Sequence, residues 1–182
     1  SRVPLSCTSE GQSPNLNLNC FSKEPGESFQ TSTSPKYGED KYSKVAESVM
    51  VAALFTYAGP EYVAMCKKKG DEAGAAKAQA AIDQMKKNIM DYGWDGEWFL
   101  RAYDDFGKKM GSHECEEGKI FIEPQGFAVM GGCGKETGAD LKALESVDKY
   151  LNSTHGLVLN QPAFTKYYIE YGEISTYPGG YK

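Results

Sequence analysis

The densest concentration of chemically useful side chains is the run Trp94-Asp95-Gly96-Glu97-Trp98-Phe99-Leu100-Arg101-Ala102-Tyr103, followed at once by Asp104. Carboxylates accept hydrogen bonds, a guanidinium donates them in a fixed fork, and aromatic faces lie flat against rings, so the set could line a polar cleft. A plainer reading competes with this one. Charges in a hairpin commonly pair with one another or with helix ends, at little gain in stability, and for Asp95, Glu97, Arg101 and Asp104 that reading is favoured. Trp94 and Trp98 are expected to anchor core or loops, with the indole N–H on a carbonyl.

Glu123, just before Pro124-Gln125, offers another carboxyl for acid–base work, but negative charge is favoured at a helix start and a capping role is expected. Tyr167, Tyr168 and Tyr171 have a spacing that serves a binding stripe or packing between helices, and packing is expected. His113, Cys115, Cys133 and His155 match no usual zinc spacing, and scattered thiols are mostly buried small side chains, so no metal is expected.

The elements that must position these groups are helical. From Lys44, Val45, Val49 and Ala53 lie on one line with Ala46, Met50 and Leu54 beside it, which predicts a helix ended by Gly59-Pro60, then a short helix over Glu61 to Lys68. After Gly70-Asp71, the residues Ala75, Ala78, Ile82, Met85, Ile89 and Tyr92 recur at steps of three and four, with Lys77, Asp83, Lys86 and Lys87 on the solvated face. A third long helix is predicted from Gly138 to Leu151, with Leu141, Leu144, Val147 and Leu151 as its stripe and Thr137 or Asp140 as cap. Between them, 94–103 and 119–122 read as short strands or hairpin arms, and Pro124-Gln125-Gly126 opens a short helix, Phe127 to Met130, closed by Gly131-Gly132. Residues 1–41 show neither helical nor strand periodicity and read as loop or leader.

A row of helices joined by long Gly- and aromatic-rich loops is the grammar of an α/α toroid, in which helix pairs form the wall and loops at one end carry the site. The fold class is therefore mainly α, with a short β-hairpin. Residues 42–182 supply fewer helices than a closed ring of six hairpins needs, which implies an incomplete barrel.

Composition narrows the partners. Among 182 residues the formal charge is −5, with Lys and Arg dispersed, so there is no basic footprint for nucleic acid or acidic lipid. No apolar run approaches the roughly 20 residues that cross a bilayer. Five cysteines, Cys7, Cys20, Cys66, Cys115 and Cys133, form an odd set without a C-x-x-C pair, which favours a reducing compartment and a cytoplasmic location.

Five segments together carry a family resemblance: LNLNCFSKEPGESFQT from Leu16, DGEWFLRAYDDFG from Asp95, GKIFIEPQGFAVMGG from Gly118, HGLVLNQPAF from His155 and YGEISTYPGGYK from Tyr171. In this order they resemble glycoside hydrolase family ninety-four, the cellobiose, cellodextrin and diacetylchitobiose phosphorylases, over Leu16 to Lys182. The resemblance implies an (α/α) six-hairpin barrel. It also implies attack of inorganic phosphate on a β-linked disaccharide to give an α-sugar 1-phosphate, with phosphate a co-substrate and no cofactor. Such an inverting reaction needs one carboxylic acid from the enzyme, because phosphate replaces the base-activated water of a hydrolase.

In the family that acid is the second Asp of an Asp-Trp-Asn-Asp stretch just before the segment matching Leu16-Asn17-Leu18. Here Gly11-Gln12-Ser13-Pro14 stands there, placing Pro14 at the acid and Gln12 at the stacking Trp. Glu10 would have to shift by several ångströms, when a displacement of about 1 Å can cost on the order of 100-fold in rate. The resemblance assigns Glu173 to sugar hydroxyls of the donor, and Tyr177 and Lys182 to the acceptor side. Asp95, Glu97, Arg101 and Gln161 are the further candidates for lining the cleft. The family's phosphate ligands fall outside these residues.

The expected function is thus part of a disaccharide phosphorylase, inactive alone, with residues up to Pro14 foreign to the match. The alternatives are a non-catalytic carbohydrate-binding domain, or a hydrolase on the same fold using Glu97 or Asp104 with Glu173. A partial toroid also exposes apolar helix faces, so self-association, or a missing half of the barrel, is expected.

Overall fold

The computed structural model describes residues 47–104, 107–168, 171 and 174–175. Four helices carry the architecture: α1 (Val49–Lys68), α2 (Glu72–Tyr92), α3 (Ile122–Met130) and α4 (Ala139–Leu151). Short connections fold them into two hairpins. α1 lies against both α2 and α3, and α4 backs α3. The starts of α1 and α3 and the ends of α2 and α4 therefore share one end of the molecule, where the long connections 93–121 and 152–161 gather.

α1 begins later and runs further than the sequence pattern predicts. Glu47–Ser48 form a strand, β1, and Ser48 caps the helix, its hydroxyl accepting from Val51 N at 3.3 Å. The helix then passes through Pro60 without ending. Its buried face, Val49, Ala52, Ala53, Thr56, Gly59, Val63 and Cys66, continues across the proline, so packing outweighs the lost ladder bond. Gly59 is what permits the approach of α2: a Cβ there would meet the Ile82 side chain at 2.7 Å. Being 20 residues long and apolar, α1 is long enough to cross a bilayer by length and composition, which the apparent break at Gly59-Pro60 conceals. Its buried face is covered by α2 and α3, as in the core helix of a globular domain.

α2 follows the predicted stripe, burying Ala75, Ala78, Ile82, Met85 and Ile89, with Tyr92 left exposed at its end. Asp71 caps it, Oδ1 accepting from Gly74 N at 2.8 Å. Pairs four residues apart, Gln79–Asp83, Gln84–Asn88 and Lys87–Asp91, lace its outer face. α4 departs from prediction in its first half and follows it in its second, where Val147 and Leu151 are buried as predicted. Leu141 and Leu144 are 65% and 44% exposed, while Ala139, Ala143, Ser146, Val147 and Leu151 face inward. The buried line uses small residues, which bring the helix closer to its neighbours than a leucine stripe would. The cap is Gly138, at φ 75°, with no side-chain bond. Thr137 instead donates to Gly134 O, and Asp140 accepts from Leu141 N.

Three small antiparallel sheets tie the loops down. β1 pairs with β2 (Ala102–Tyr103), and β2 with β3 (Lys109–Met110). β4 (Ile120–Phe121) pairs with β7 (Asn160–Gln161), and β5 (Asn152–Ser153) with β6 (Gly156–Leu157). Trp94 and Phe99 form an isolated bridge, so the aromatic run is a tight hairpin followed by a strand. The main core joins Val49, Ala52, Met85, Ile89, Phe99, Leu100 and Ala128, and a second, Trp98, Ile120, Val147 and Leu151, lies under the loop layer.

Candidate functional site

The loop layer over the starts of α1 and α3 is held by buried polar side chains. Gln125, fully buried in the first half of α3, accepts from Phe99 N at 2.7 Å and donates to Phe99 O at 2.8 Å and Phe121 O at 2.9 Å. Its amide thus acts as an extra strand partner for the aromatic hairpin. Pattern reading overlooks it, although a glutamine flanked by Pro124 and Gly126 in an apolar stretch is a signal that a buried amide has backbone partners.

Asp95 is the second clamp. Its side chain is 2% exposed and accepts from Ser112 Oγ at 3.0 Å, His113 N at 2.8 Å and the His113 ring at 2.7 Å, with Lys109 Nζ 3.8 Å away. These contacts bind the hairpin to the 111–115 turn. Trp98 anchors as expected, donating from its indole to Gly111 O at 2.9 Å and meeting Tyr150 edge-on. Glu97 is at the exposed hairpin tip, where its carbonyl accepts from Ser146 Oγ at 2.8 Å. Asp104 is buried in a turn and accepts from Lys108 N at 2.8 Å.

Arg101 is different. Its Nη1 donates to Ser48 Oγ at 3.2 Å, which places the guanidinium beside the start of α1. Burial pulls its pKa below the ordinary value, and the Glu123 charge opposes that. Glu123 does not cap α3: Phe121 is the cap residue, the helix starts earlier than expected at Ile122, and Glu123 lies in its first turn with Oε2 buried and without a hydrogen-bond partner among the described residues. Gln161 is half-buried on β7 opposite Ile120, one residue before the Phe121 cap.

Further along, Tyr168 and Tyr171 pack around Phe164, at 5.9 and 6.0 Å between ring centres, while Tyr167 is exposed. Glu117 tethers this segment, accepting from Thr165 N and the Tyr168 hydroxyl at 3.1 and 2.9 Å, and the bonds from Thr165 first, then Tyr168, hold its carboxyl below the usual range. Cys133 is buried against Thr56, Cys115 faces Lys109 O, and His155 is exposed on the turn between β5 and β6. Pro14, Glu173, Tyr177 and Lys182 lie outside the described residues.

Two helical hairpins with polar and aromatic groups gathered at one end define a helical domain of the kind that carries its site on loops. Residues 15–182 match the family model described as the glycosyl hydrolase 94 superfamily, catalytic domain, and the chain belongs to that family. It is 31% identical to solabiose phosphorylase of Paenibacillus borealis over 135 residues, 74% of this chain and 17% of that enzyme. It is 32% identical to N,N'-diacetylchitobiose phosphorylase of Vibrio furnissii over 120 residues, 65% of this chain and 15% of the relative. With cellobionic acid phosphorylase of Neurospora crassa the identity is 28% over 111 residues, 61% and 14% of the two chains. The chain thus spans less than a fifth of the length of these relatives.

Proposed function

We propose that this chain forms part of the sugar-binding wall of an inverting disaccharide phosphorylase, an enzyme that splits a β-linked glucose disaccharide with inorganic phosphate into α-glucose 1-phosphate and glucose. The observation that carries this reading is the family match over 15–182, with relatives whose names each specify a phosphorylase. Arg101, Glu123 and Gln161, near the starts of α1 and α3, support a ligand surface at that end. The finer assignments, donor hydroxyls to Glu173 and the acceptor to Tyr177 and Lys182, belong to this proposal.

By itself the chain is expected to be catalytically silent, because Pro14 at the general-acid position has no proton to give. Of the carboxyls that a hydrolase reading would use, Asp104 accepts from Lys108 N in a buried turn and Glu97 is at an exposed hairpin tip. The test has two arms. Incubation with cellobiose and phosphate is expected to release no α-glucose 1-phosphate, and release would overturn the Pro14 argument. Saturation-transfer NMR with cellobiose and with N,N'-diacetylchitobiose is expected to show binding of at least one, and binding of neither contradicts the sugar-wall reading.

A further inference from the structure

At the end where α1 and α3 start, two charged side chains retain hydrogen-bonding capacity that the described residues leave unused. Glu123 Oε2 is buried and without a partner, the single such side-chain atom among the described residues. Buried polar atoms are nearly always paired, and an exception calls for an explanation such as a ligand or water. Among the described residues Arg101 donates one side-chain bond, to Ser48, from a guanidinium that carries five N–H groups. The two groups sense each other's charge, yet no ion pair joins them among the described residues.

Helix electrostatics do not account for the arrangement. A carboxylate in the first turn of α3 is favourable, but a guanidinium beside the start of α1 is not. The separation between the two is nevertheless preset. Gln125 bonds both polar groups of Phe99, two residues before Arg101, and the carbonyl of Phe121, two residues before Glu123. One buried amide therefore locks together the two segments that bear the unused donor and acceptor.

We propose that Glu123 and Arg101 bind one sugar ring between them, the half-buried Glu123 carboxylate turning to accept from one hydroxyl and the Arg101 guanidinium donating to the oxygen of its neighbour. The inference rests on the sugar-wall reading above and adds two specific ligands to it. A neutral vicinal diol is the chemistry that fits, since an anion is repelled by Glu123 and a cation by Arg101, while each ring hydroxyl both donates and accepts. Fixed charge-assisted bonds of this kind give orientation as well as affinity.

A purely structural Glu123 and a ligand-binding one predict opposite pairs of results. Glu123→Met keeps the length of the side chain and removes the unpartnered oxygen. In the full chain it is expected to leave the thermal midpoint unchanged or raised and to weaken cellobiose binding at least tenfold, read by ligand-observed NMR titration, with Glu123→Gln between the two. A lowered midpoint with unchanged binding makes Glu123 structural and overturns the inference, as does equal binding by all three proteins. Failure of the unaltered chain to bind cellobiose or N,N'-diacetylchitobiose overturns the sugar-wall reading, and this inference with it.

Discussion

The hairpin of α1 and α2 and the loop layer over the starts of α1 and α3 are built on opposite principles. The hairpin is held by a continuous apolar seam, with Gly59 close against Ile82, and the buried residues of both helices include no charged side chain. The loop layer is held by Gln125, Asp95 and the Trp98 indole, each buried and each bonded to backbone. An apolar seam tolerates local irregularity, as the passage of α1 through Pro60 shows, because many small contacts share the load. A polar clamp is less forgiving, since removing one partner leaves buried donors and acceptors unpaired.

The largest expected effect therefore falls on the loop layer. Gln125→Leu strands Phe99 N and Phe99 O and removes a second bond to Phe121 O, and should cost about 3–5 kcal/mol, read by urea denaturation. A loss below about 1 kcal/mol would break the contrast. In the hairpin, Pro60→Ala restores a helical N–H at an exposed position and should stabilise the chain by about 1–3 kcal/mol in the same assay. Asp71→Ala removes the α2 cap bond and should cost about 1 kcal/mol.

The smallest effect is a pH dependence. The Tyr103 hydroxyl donates to Tyr92 O at 2.6 Å, and burial first, then nearby carboxylates, pushes its pKa up to about 12 from an ordinary value of 10.0. Folding favours the neutral phenol, so its contribution is whole below pH 10 and is lost as pH rises toward 12. Stability measured across that window should fall less steeply in Tyr103→Phe than in the unaltered chain.

The same contrast decides what the sequence makes legible. The α2 stripe is readable from Ala75 to Ile89, failing only at the exposed Tyr92, because a long amphipathic helix facing one neighbour repeats its apolar residues with the turn. α4 is found and its second half is read correctly, with Val147 and Leu151 buried, but its first half is misoriented: Leu141 and Leu144 face out, while Ala139, Ala143 and Ser146 complete the buried line because close packing there favours small side chains. Pro60 reads as a stop only while α1 is considered without α2. Of the candidate site residues, Asp95 lies in a structural clamp and Glu97 at an exposed hairpin tip, whereas Arg101 lies beside Ser48 and under the influence of Glu123. Gln125 and the unpartnered Glu123 oxygen are missed because a side chain bonded to, or withheld from, distant groups leaves no period in the sequence.

The most direct test of the account is an amide chemical-shift map of the whole chain titrated with cellobiose and, separately, with N,N'-diacetylchitobiose. The account predicts that the perturbed amides cluster at the starts of α1 and α3, around Ser48, Arg101 and Phe121 to Gln125. Perturbations confined to the opposite end, at the turns 69–71 and 131–138, or none with either sugar, would contradict it.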